Sequence, residues 1–362
     1  MDPAELKRLG LSPADLVDFS VNSNPFGPSP RVLAAMQRVD ISSYPDRHCT
    51  ALRDVLAQIN QVSSQEILVG NGTAELIWLA VISLLRPGDE VLIAGPTFGE
   101  YQRAAAAVGA RITVIRAQPP DFALPLEPIG LYVRQHKPRL VFVCNPNNPT
   151  GTYLAPHVLD KLVETCGLET IFIFDESYRA FVEGRPSSSL PPGNALVLRS
   201  MTKDFTLAGL RLGYVLGNPA WLDQLRRFQP AWSVNAFAQA AGTAALLDGD
   251  YYQRTLAALT GLKNDFFANL HALGYTTVRT DVHFGLIDVG GPAYLFRQRL
   301  IRLGCQVRDC ASFGLPQYIR VSTRTEPDNR KLLAALQALR ESTISAPATR
   351  RSPTCSASRS AR

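Results

Sequence analysis

A lysine that follows a short apolar strand is the first candidate for chemistry. The run ALVLRS (195–200) reads as a buried strand, and Lys203 lies in the turn just after it. An amine at a strand end, among small and hydroxylic residues, stands over a cleft and can form a Schiff base with a carbonyl compound. Ser200 and Arg211 offer a hydroxyl and a guanidinium to an anion nearby. A single such lysine is more often a solvated surface residue, so a chemical role for Lys203 needs the support of four further segments.

Two more strands end on polar side chains. TIFIFD (170–175) ends on Asp175, and a carboxylate in so apolar a setting is costly unless a cation meets it. A protonated pyridine nitrogen is such a cation, and Tyr178 can hydrogen-bond a phenolic oxygen on the same ring. The strand RLVFVC leads into the turn NPNNPTG, where Asn148 can donate to that oxygen as well. The alternatives are a helix cap for Asp175 and a plain Asn-Pro turn for Asn148.

A glycine-rich turn and an aromatic residue complete the set. In LVGNGTAELIWL (68–79) a strand, a turn and a helix follow one another. The backbone N–H groups of Gly72, Thr73 and Ala74 would then face an anion such as phosphate at the helix N-terminus. Phe98 follows the next apolar strand and can stack on a flat ring, with a core phenylalanine as the alternative. Together these segments predict pyridoxal 5'-phosphate (PLP), bound as a Schiff base to Lys203.

The elements that must position these residues follow a repeating order. Apolar strands alternate with helical patterns from about residue 66 to 200, which predicts a mostly parallel α/β sheet, seven-stranded, with helices on both faces. LRLGYVLG (210–217) follows with no room for a crossover helix and is the predicted antiparallel strand. After about residue 240 an α+β pattern begins, with strands HFGLIDV (283–289) and YIRVST (318–323). The candidate residues are therefore expected to meet at the carboxyl edge of one sheet.

This order divides the chain into four predicted parts. Residues 1–40 form an arm that packs with the small domain, 41–245 the large PLP-binding domain, and 246–341 the C-terminal small domain. Residues 342–362 are rich in Ser, Ala, Arg and Pro and are predicted to be a disordered tail.

The set of motifs resembles the aspartate aminotransferase superfamily, the class I and II PLP enzymes of fold type I. NPNNPTG, DESY and S-x-x-K with an arginine eight residues on recur together in that family, and the resemblance covers roughly residues 18–341. It implies that the cofactor-binding roles described above belong to Asn148, Asp175, Tyr178, Ser200, Lys203 and Arg211. It also implies a homodimer with shared active sites, in which Tyr44 of SSYPDRH reaches the cofactor phosphate of the neighbouring subunit.

The substrate side of the site is predicted from the stretch QYIRVSTRTEPDN (317–329). Arg320 lies within its strand, where the family binds the substrate α-carboxylate, and a planar guanidinium can hold a carboxylate at two points. Arg324 is a second candidate, for the carboxylate or for a substrate phosphate. Asn22 and Asn24 in the arm are candidates for the same phosphate. Surface positions on a strand are the alternative for both arginines.

Two branches of the family, both acting on small phosphorylated amines, compete for the substrate. Phe98 within PTFGEYQRA, together with QPAWSVNAFAQAA and VRDCASF, resembles threonine-phosphate decarboxylase of cobalamin synthesis. SMTKDFTLAGLRLGY and GLPQYIRV resemble histidinol-phosphate aminotransferase. The sequence favours the decarboxylase, with the aminotransferase as the alternative. A non-catalytic ligand-sensing module of the same fold is an alternative of another class.

Composition argues against several other classes of protein. The chain has 362 residues, 46% apolar and 19% charged, and lacks an apolar stretch of membrane-spanning length. Its net charge is +6, but the acid-free segment 343–362 carries four arginines, so the body lacks a nucleic-acid footprint. The six cysteines form no CxxC pair, which argues against a zinc site or a disulfide framework. With no apolar signal core at the N-terminus, the expected location is the cytoplasm.

Overall fold

The computed structural model describes residues 3–167, 169–184 and 194–344, and the side chains of these residues from 4 to 341. Almost all of the predicted tail, residues 345–362, lies outside the described residues. The strands are β1 (Val17–Asp18), β2 (Ile67–Gly70), β3 (Glu90–Gly95), β4 (Arg111–Arg116), β5 (Leu140–Cys144), β6 (Ile171–Asp175), β7 (Ala195–Ser200), β8 (Gly213–Gly217), β9 (Thr276–Thr277), β10 (Phe284–Asp288), β11 (Cys305–Gln306), β12 (Arg308–Asp309) and β13 (Tyr318–Ser322).

The helices alternate with these strands through the first two thirds of the chain and then become longer. They are α1 (Pro3–Leu9), α2 (Pro30–Met36), α3 (Thr50–Asn60), α4 (Gly72–Leu84), α5 (Glu100–Ala107), α6 (Leu126–His136), α7 (Pro156–Cys166), α8 (Pro219–Phe228), α9 (Ala236–Leu246), α10 (Gly249–Ala272), α11 (Ala293–Arg302) and α12 (Glu326–Ile344). Among the described residues, no helix is long and apolar enough to cross a bilayer.

Seven strands form the large sheet, in the order β2-β8-β7-β6-β5-β3-β4. All neighbours in it are parallel except β8, which runs antiparallel to both β2 and β7. The predicted fold class is therefore confirmed, and LRLGYVLG is the antiparallel member, as predicted. Strand β4 was not among the predicted apolar runs, because this edge strand is only half-buried and begins and ends on arginine.

Helices cover both faces of the large sheet, which explains why its central strands are apolar throughout. Val141 and Val143 of β5 point to the face covered by α3, α6, α7 and α9. Leu140 and Phe142 point to the opposite face, covered by α4, α5 and α8. Because alternate residues of a strand face opposite sides, a strand buried on both sides needs an unbroken apolar run.

A second, antiparallel sheet is built late in the chain, in the order β12-β13-β10-β9. We call it the small sheet; α10, α11 and α12 contribute to its core. The N-terminal arm joins this unit through parallel pairing of β1 with β11 and through the ion pair of Glu5 with Arg297. Helix α2 instead packs against α9, so the arm touches both units. The domain limits given above stay predictions.

Candidate active site

A cavity opens at the carboxyl edge of the large sheet, where β5, β6 and β7 end. Five separate segments of the chain contribute the residues that line it: Thr73, Ala74, Phe98, Tyr101, Cys144, Asn148, Asp175, Ser177, Tyr178, Thr202, Lys203 and Arg211. The structure thus brings together most of the predicted cofactor residues. Tyr101, Cys144, Ser177 and Thr202 were not among the predicted residues.

Asp175 lies at the end of β6, and the residue is 4% exposed. Its Oδ1 accepts a hydrogen bond of 3.0 Å from the backbone N–H of Ser177, and its Oδ2 one of 2.7 Å from the hydroxyl of Tyr101. Two donors therefore fix the orientation of this carboxylate, the predicted acidic partner of the cofactor ring, in the lining of the cavity.

Lys203 is positioned by the turn that follows β7. The hydroxyls of Ser200 and Thr202 lie 2.7 Å apart, and the Thr202 N–H donates to Ser200 Oγ at 3.2 Å. The arm contributes as well, since the backbone N–H of Asn24 donates to the carbonyl of Lys203 at 2.9 Å. The Lys203 amine lies 5.8 Å from the centroid of the Tyr178 ring. Lys203 and Tyr178, two of the predicted cofactor-binding residues, therefore lie close together in the lining of the cavity.

The start of α4 and the guanidinium of Arg211 form what we call the phosphate cradle. Gly72 has φ +75°, and a Cβ on it would lie 2.8 Å from Nη2 of Arg211. Arg211 packs this closely against the backbone only because the residue is glycine. At Gly213 a Cβ would lie 2.9 Å from the backbone nitrogen of Thr73. Amide groups at a helix N-terminus beside a cation bind phosphate well.

These residues fit PLP. The phosphate cradle suits its phosphate, Asp175 its ring nitrogen, and Lys203 its aldehyde carbon. Phe98, which is 37% exposed, meets the ring of Tyr101 edge-on at 5.7 Å and lines the same cavity. The chemistry of the donor set therefore agrees with the predicted cofactor at each end of the cavity.

Arg320 links three parts of the chain beside this cavity. Its guanidinium donates to Asn148 Oδ1 and, at 2.6 Å, to the backbone carbonyl of Ser20 in the arm. It also lies over the Phe284 ring, 5.5 Å from the centroid. Burial lowers the pKa of this guanidinium from its ordinary value. The bond to Asn148 connects the predicted substrate-binding residue with a predicted cofactor-binding one.

Arg308, within the segment VRDCASF, was not predicted as a site residue. It pairs across the small sheet with Arg320. Residues directly opposite each other on antiparallel strands project from the same face, so a second arginine stands on the Arg320 side of this sheet. Arg308 donates to Ser312 Oγ at 2.9 Å and is exposed. The sequence does not show the register of β12 with β13, and it is this register that sets Arg308 opposite Arg320.

The predicted residues that do not line the cavity include Arg324, Asn24 and Tyr44. Arg324 pairs with Asp328 of α12 at 3.1 Å and donates to the carbonyl of Asp18. The amide of Asn24 is engaged by the chain itself, since it donates to the Asp204 carbonyl and to Thr255 Oγ1. Tyr44 is 80% exposed and stacks on Trp232, with ring centroids 4.7 Å apart. Their roles toward substrate or a neighbouring subunit stay predictions.

Asn22 and His283 are buried polar residues on the arm and at the start of β10. The side-chain amide of Asn22 lacks hydrogen-bond partners among the described residues, and the imidazole of His283 lies near the Asn22 backbone. Burial, and next the positive charges of Arg320 and Lys203, lower the pKa of His283 to about 3. His283 was not predicted from the sequence, where a lone histidine before an apolar strand carries no signal.

Comparisons with known proteins add independent findings. Residues 14–336 match the family model described as aminotransferase class I and II. The chain is 36% identical to histidinol-phosphate aminotransferase of Symbiobacterium thermophilum over 337 residues, 92% of each protein. The structure of the Sinorhizobium meliloti histidinol-phosphate aminotransferase in complex with pyridoxal-5'-phosphate aligns with a TM-score of 0.86 and 24% identity, over 95% of both chains.

A decarboxylase has the same fold. L-threonine-O-3-phosphate decarboxylase from Porphyromonas gingivalis aligns with a TM-score of 0.78 and 24% identity, over 90% of this chain and 100% of that one. At such identity the two solved structures show the shared fold and do not separate the two reactions.

Proposed function

This chain belongs to the class I and II aminotransferases, and on that premise we propose that it transfers the amino group of histidinol phosphate to 2-oxoglutarate. The observation that carries the proposal is the 36% identity, over 92% of both chains, to a histidinol-phosphate aminotransferase. PLP is the cofactor of this enzyme. The preference for the decarboxylase drawn from the sequence is weaker than this, because it depended on short segments around Phe98 and in the later part of the chain.

The residues of the cavity support a division of labour in this reaction. Bound PLP supplies a carbonyl that takes up the substrate amine and an electron-poor ring that stabilises negative charge on Cα. The amine of Lys203 removes the proton from Cα and returns one at the next step. The carboxylate of Asp175 stabilises positive charge on the ring side. Tyr178 and Asn148 donate hydrogen bonds on the side of the phenolic oxygen.

Arg320 has a separate role in the proposed reaction. Histidinol phosphate carries a phosphate and no carboxylate, whereas 2-oxoglutarate carries carboxylates. A guanidinium can hold either kind of anion through two parallel hydrogen bonds. We assign the anion of each substrate in turn to Arg320, and Arg308 adds a second positive charge on the same face of the small sheet.

For a substrate that carries a carboxylate on Cα, the choice between transamination and decarboxylation would depend on its orientation, whereas histidinol phosphate has no such carboxylate to lose. The Cα bond that stands perpendicular to the cofactor ring is the one that is weakened. Holding hydrogen in that position leads to transamination, and holding a carboxylate there leads to loss of carbon dioxide. The contacts of Lys203 and Asp175 serve both outcomes, so these residues do not decide between them.

A homodimer belongs to the same proposal. Tyr44 and Trp232 form an exposed aromatic pair, with 80% and 46% of their surfaces accessible. We place this pair at a subunit interface, where the Tyr44 hydroxyl reaches the phosphate cradle of the partner subunit. Light scattering should then give twice the mass of one chain, and a monomer at micromolar concentration would argue against a shared site.

Two product assays test the proposed reaction. Purified enzyme with PLP is supplied with histidinol phosphate and 2-oxoglutarate, and separately with phosphothreonine alone. We expect glutamate in the first assay and no carbon dioxide in the second, with Lys203→Ala as the inactive control. Carbon dioxide release without glutamate would replace the proposal by the decarboxylase. If neither assay gave a product, both substrates would be rejected, while membership of the aminotransferase family would still stand.

A further inference from the structure

Tyr101 lines the cavity, but the mechanism above gives it no role. It lies in the first turn of α5, three residues after Phe98, and is fully buried. Its ring stacks on Phe142 of β5, with centroids 4.9 Å apart. Its hydroxyl donates to Oδ2 of Asp175 at 2.7 Å. The ring therefore belongs to the core, while the hydroxyl reaches the acidic residue that faces the cofactor.

The surroundings keep this hydroxyl a donor. Burial, and next the charge of Asp175, raise the pKa of Tyr101 well above its ordinary value, so the phenol stays protonated. Cys144, opposite Asp175 in the pairing of β5 and β6, lies beside the hydroxyl. Burial raises the pKa of its thiol to about 12, so Cys144 is neutral too. Asp175 thus has neutral neighbours on this side, one of which can only donate to it.

We propose that Tyr101 is a positioning residue that holds Asp175 as an oriented anion and so keeps the shared proton on the cofactor ring nitrogen. The inference rests on PLP as the cofactor and is independent of the substrate.

The physical reason is the effect of the hydrogen bond on the basicity of the carboxylate. A carboxylate that accepts fewer hydrogen bonds binds a proton more strongly. Without the Tyr101 hydroxyl, the proton between Asp175 and the ring nitrogen would move toward the carboxylate oxygen. The nitrogen would then lose its positive charge, and the ring would be a weaker electron sink. The backbone donor of Ser177 at Oδ1 remains in either case.

Tyr101→Phe is the appropriate variant, because it keeps the ring that stacks on Phe142 and removes only the hydroxyl. Tyr132→Phe is the matched control. The Tyr132 hydroxyl lies 2.8 Å from Thr113 Oγ1. Tyr132 belongs to α6 and Thr113 to β4, and neither residue lines the cavity. Both variants lose one hydroxyl and one side-chain hydrogen bond, but only Tyr101→Phe loses the bond to Asp175.

The experiment measures the Kd of each apo-enzyme for PLP and for an analogue in which a C–H replaces the ring nitrogen. For Tyr101→Phe we expect the Kd for PLP to rise on the order of tenfold, as for one lost hydrogen bond to a charged group. The Kd for the analogue should change by less than about twofold, because Asp175 has no nitrogen to pair with. Tyr132→Phe should leave both constants unchanged.

Two results would overturn the inference. Equal weakening of PLP and of the analogue in Tyr101→Phe would mean that the hydroxyl supports the fold of the site only. Unchanged binding of both would mean that the hydroxyl has no influence on the cofactor. In an Asp175→Asn background, Tyr101→Phe should have no further effect on the Kd for PLP, and a persisting tenfold effect would also contradict it. Because no substrate enters these measurements, failure of the proposed reaction would leave them unaffected.

Discussion

The large sheet and the small sheet supply the active site in different ways. The large sheet presents Asp175 and Lys203 just at or after the carboxyl ends of neighbouring strands, each within a few residues of an apolar run. The small sheet presents Arg320 from the middle of an antiparallel strand, held by the arm and by Asn148. Cofactor groups are thus positioned by local strand–turn geometry. The substrate-binding group is positioned by contacts between segments far apart in the chain.

The largest effect is expected on the large-sheet side, from Lys203→Ala. Loss of the amine that carries the cofactor and moves the Cα proton should lower kcat by at least ~10³-fold. Lys161→Ala, on the exposed face of α7, is the matched control and should keep wild-type activity. Steady-state glutamate formation measures both. Full turnover in Lys203→Ala would contradict the assignment of Lys203 as the residue that carries the cofactor.

On the small-sheet side, the two predicted arginines should differ strongly. Arg320→Lys keeps the charge but cannot bridge Asn148, Ser20 and a substrate anion, so kcat/KM should fall on the order of 100-fold. Arg324→Lys should cost less than about threefold, since Arg324 is paired with Asp328. Initial rates at varied 2-oxoglutarate measure both. A larger loss for Arg324→Lys would show that substrate reaches beyond the buried arginine.

The phosphate cradle can be tested with two glycines that share a left-handed backbone. Gly72 has φ +75° and would place a Cβ 2.8 Å from Arg211, whereas Gly88 has φ +86° and no atom within 4 Å. Both alanine variants should lose about 1 kcal/mol of stability from the strained backbone. Only Gly72→Ala should raise the Kd for PLP, on the order of tenfold. Equal affinity in the two variants would show that the contact with Arg211 is unimportant.

The smallest effect concerns stability and His283, on the small-sheet side. Its pKa of about 3 lies below the ordinary value of 6.5, so between these pH values the unfolded chain binds a proton that the folded chain does not. Stability should therefore fall as pH drops below about 6.5, by up to about 1.4 kcal/mol per pH unit from this group. The nearby charges of Arg320, Lys203 and Lys263 act in the same direction.

His283→Gln removes this titration. Thermal melting midpoints are measured at pH 7 and pH 5. The difference between the two midpoints should be about 3 °C larger in the wild type than in the variant. Parallel shifts in the two proteins would mean that His283 is reached by protons in the folded state, and that this side of the site is less dehydrated than the cofactor side.

Much of the fold could be predicted because a strand buried on both faces of a sheet needs an unbroken apolar run, which is visible in the sequence. The unbroken apolar runs of β5, β6 and β7 have that cause. Strands without it were missed: β4 lies half-buried at the edge, and β9, β11 and β12 are two residues long. Such short strands form only through pairing with a partner strand, and they are too short to show an alternation of apolar residues in the sequence.

By itself the sequence determined the cofactor, because Lys203, Asp175 and Asn148 each follow a recognisable strand in a fixed order, and strand ends of a parallel sheet must share one edge. Tertiary structure alone decided what those groups meet. Tyr101 contacts Asp175 across 74 residues, and Arg320 contacts Asn148 across 172. Arg324, four residues from Arg320, turns instead to Asp328. The partners of Tyr101 and Arg320 are set by the packing of distant segments, on which local sequence pattern carries no information.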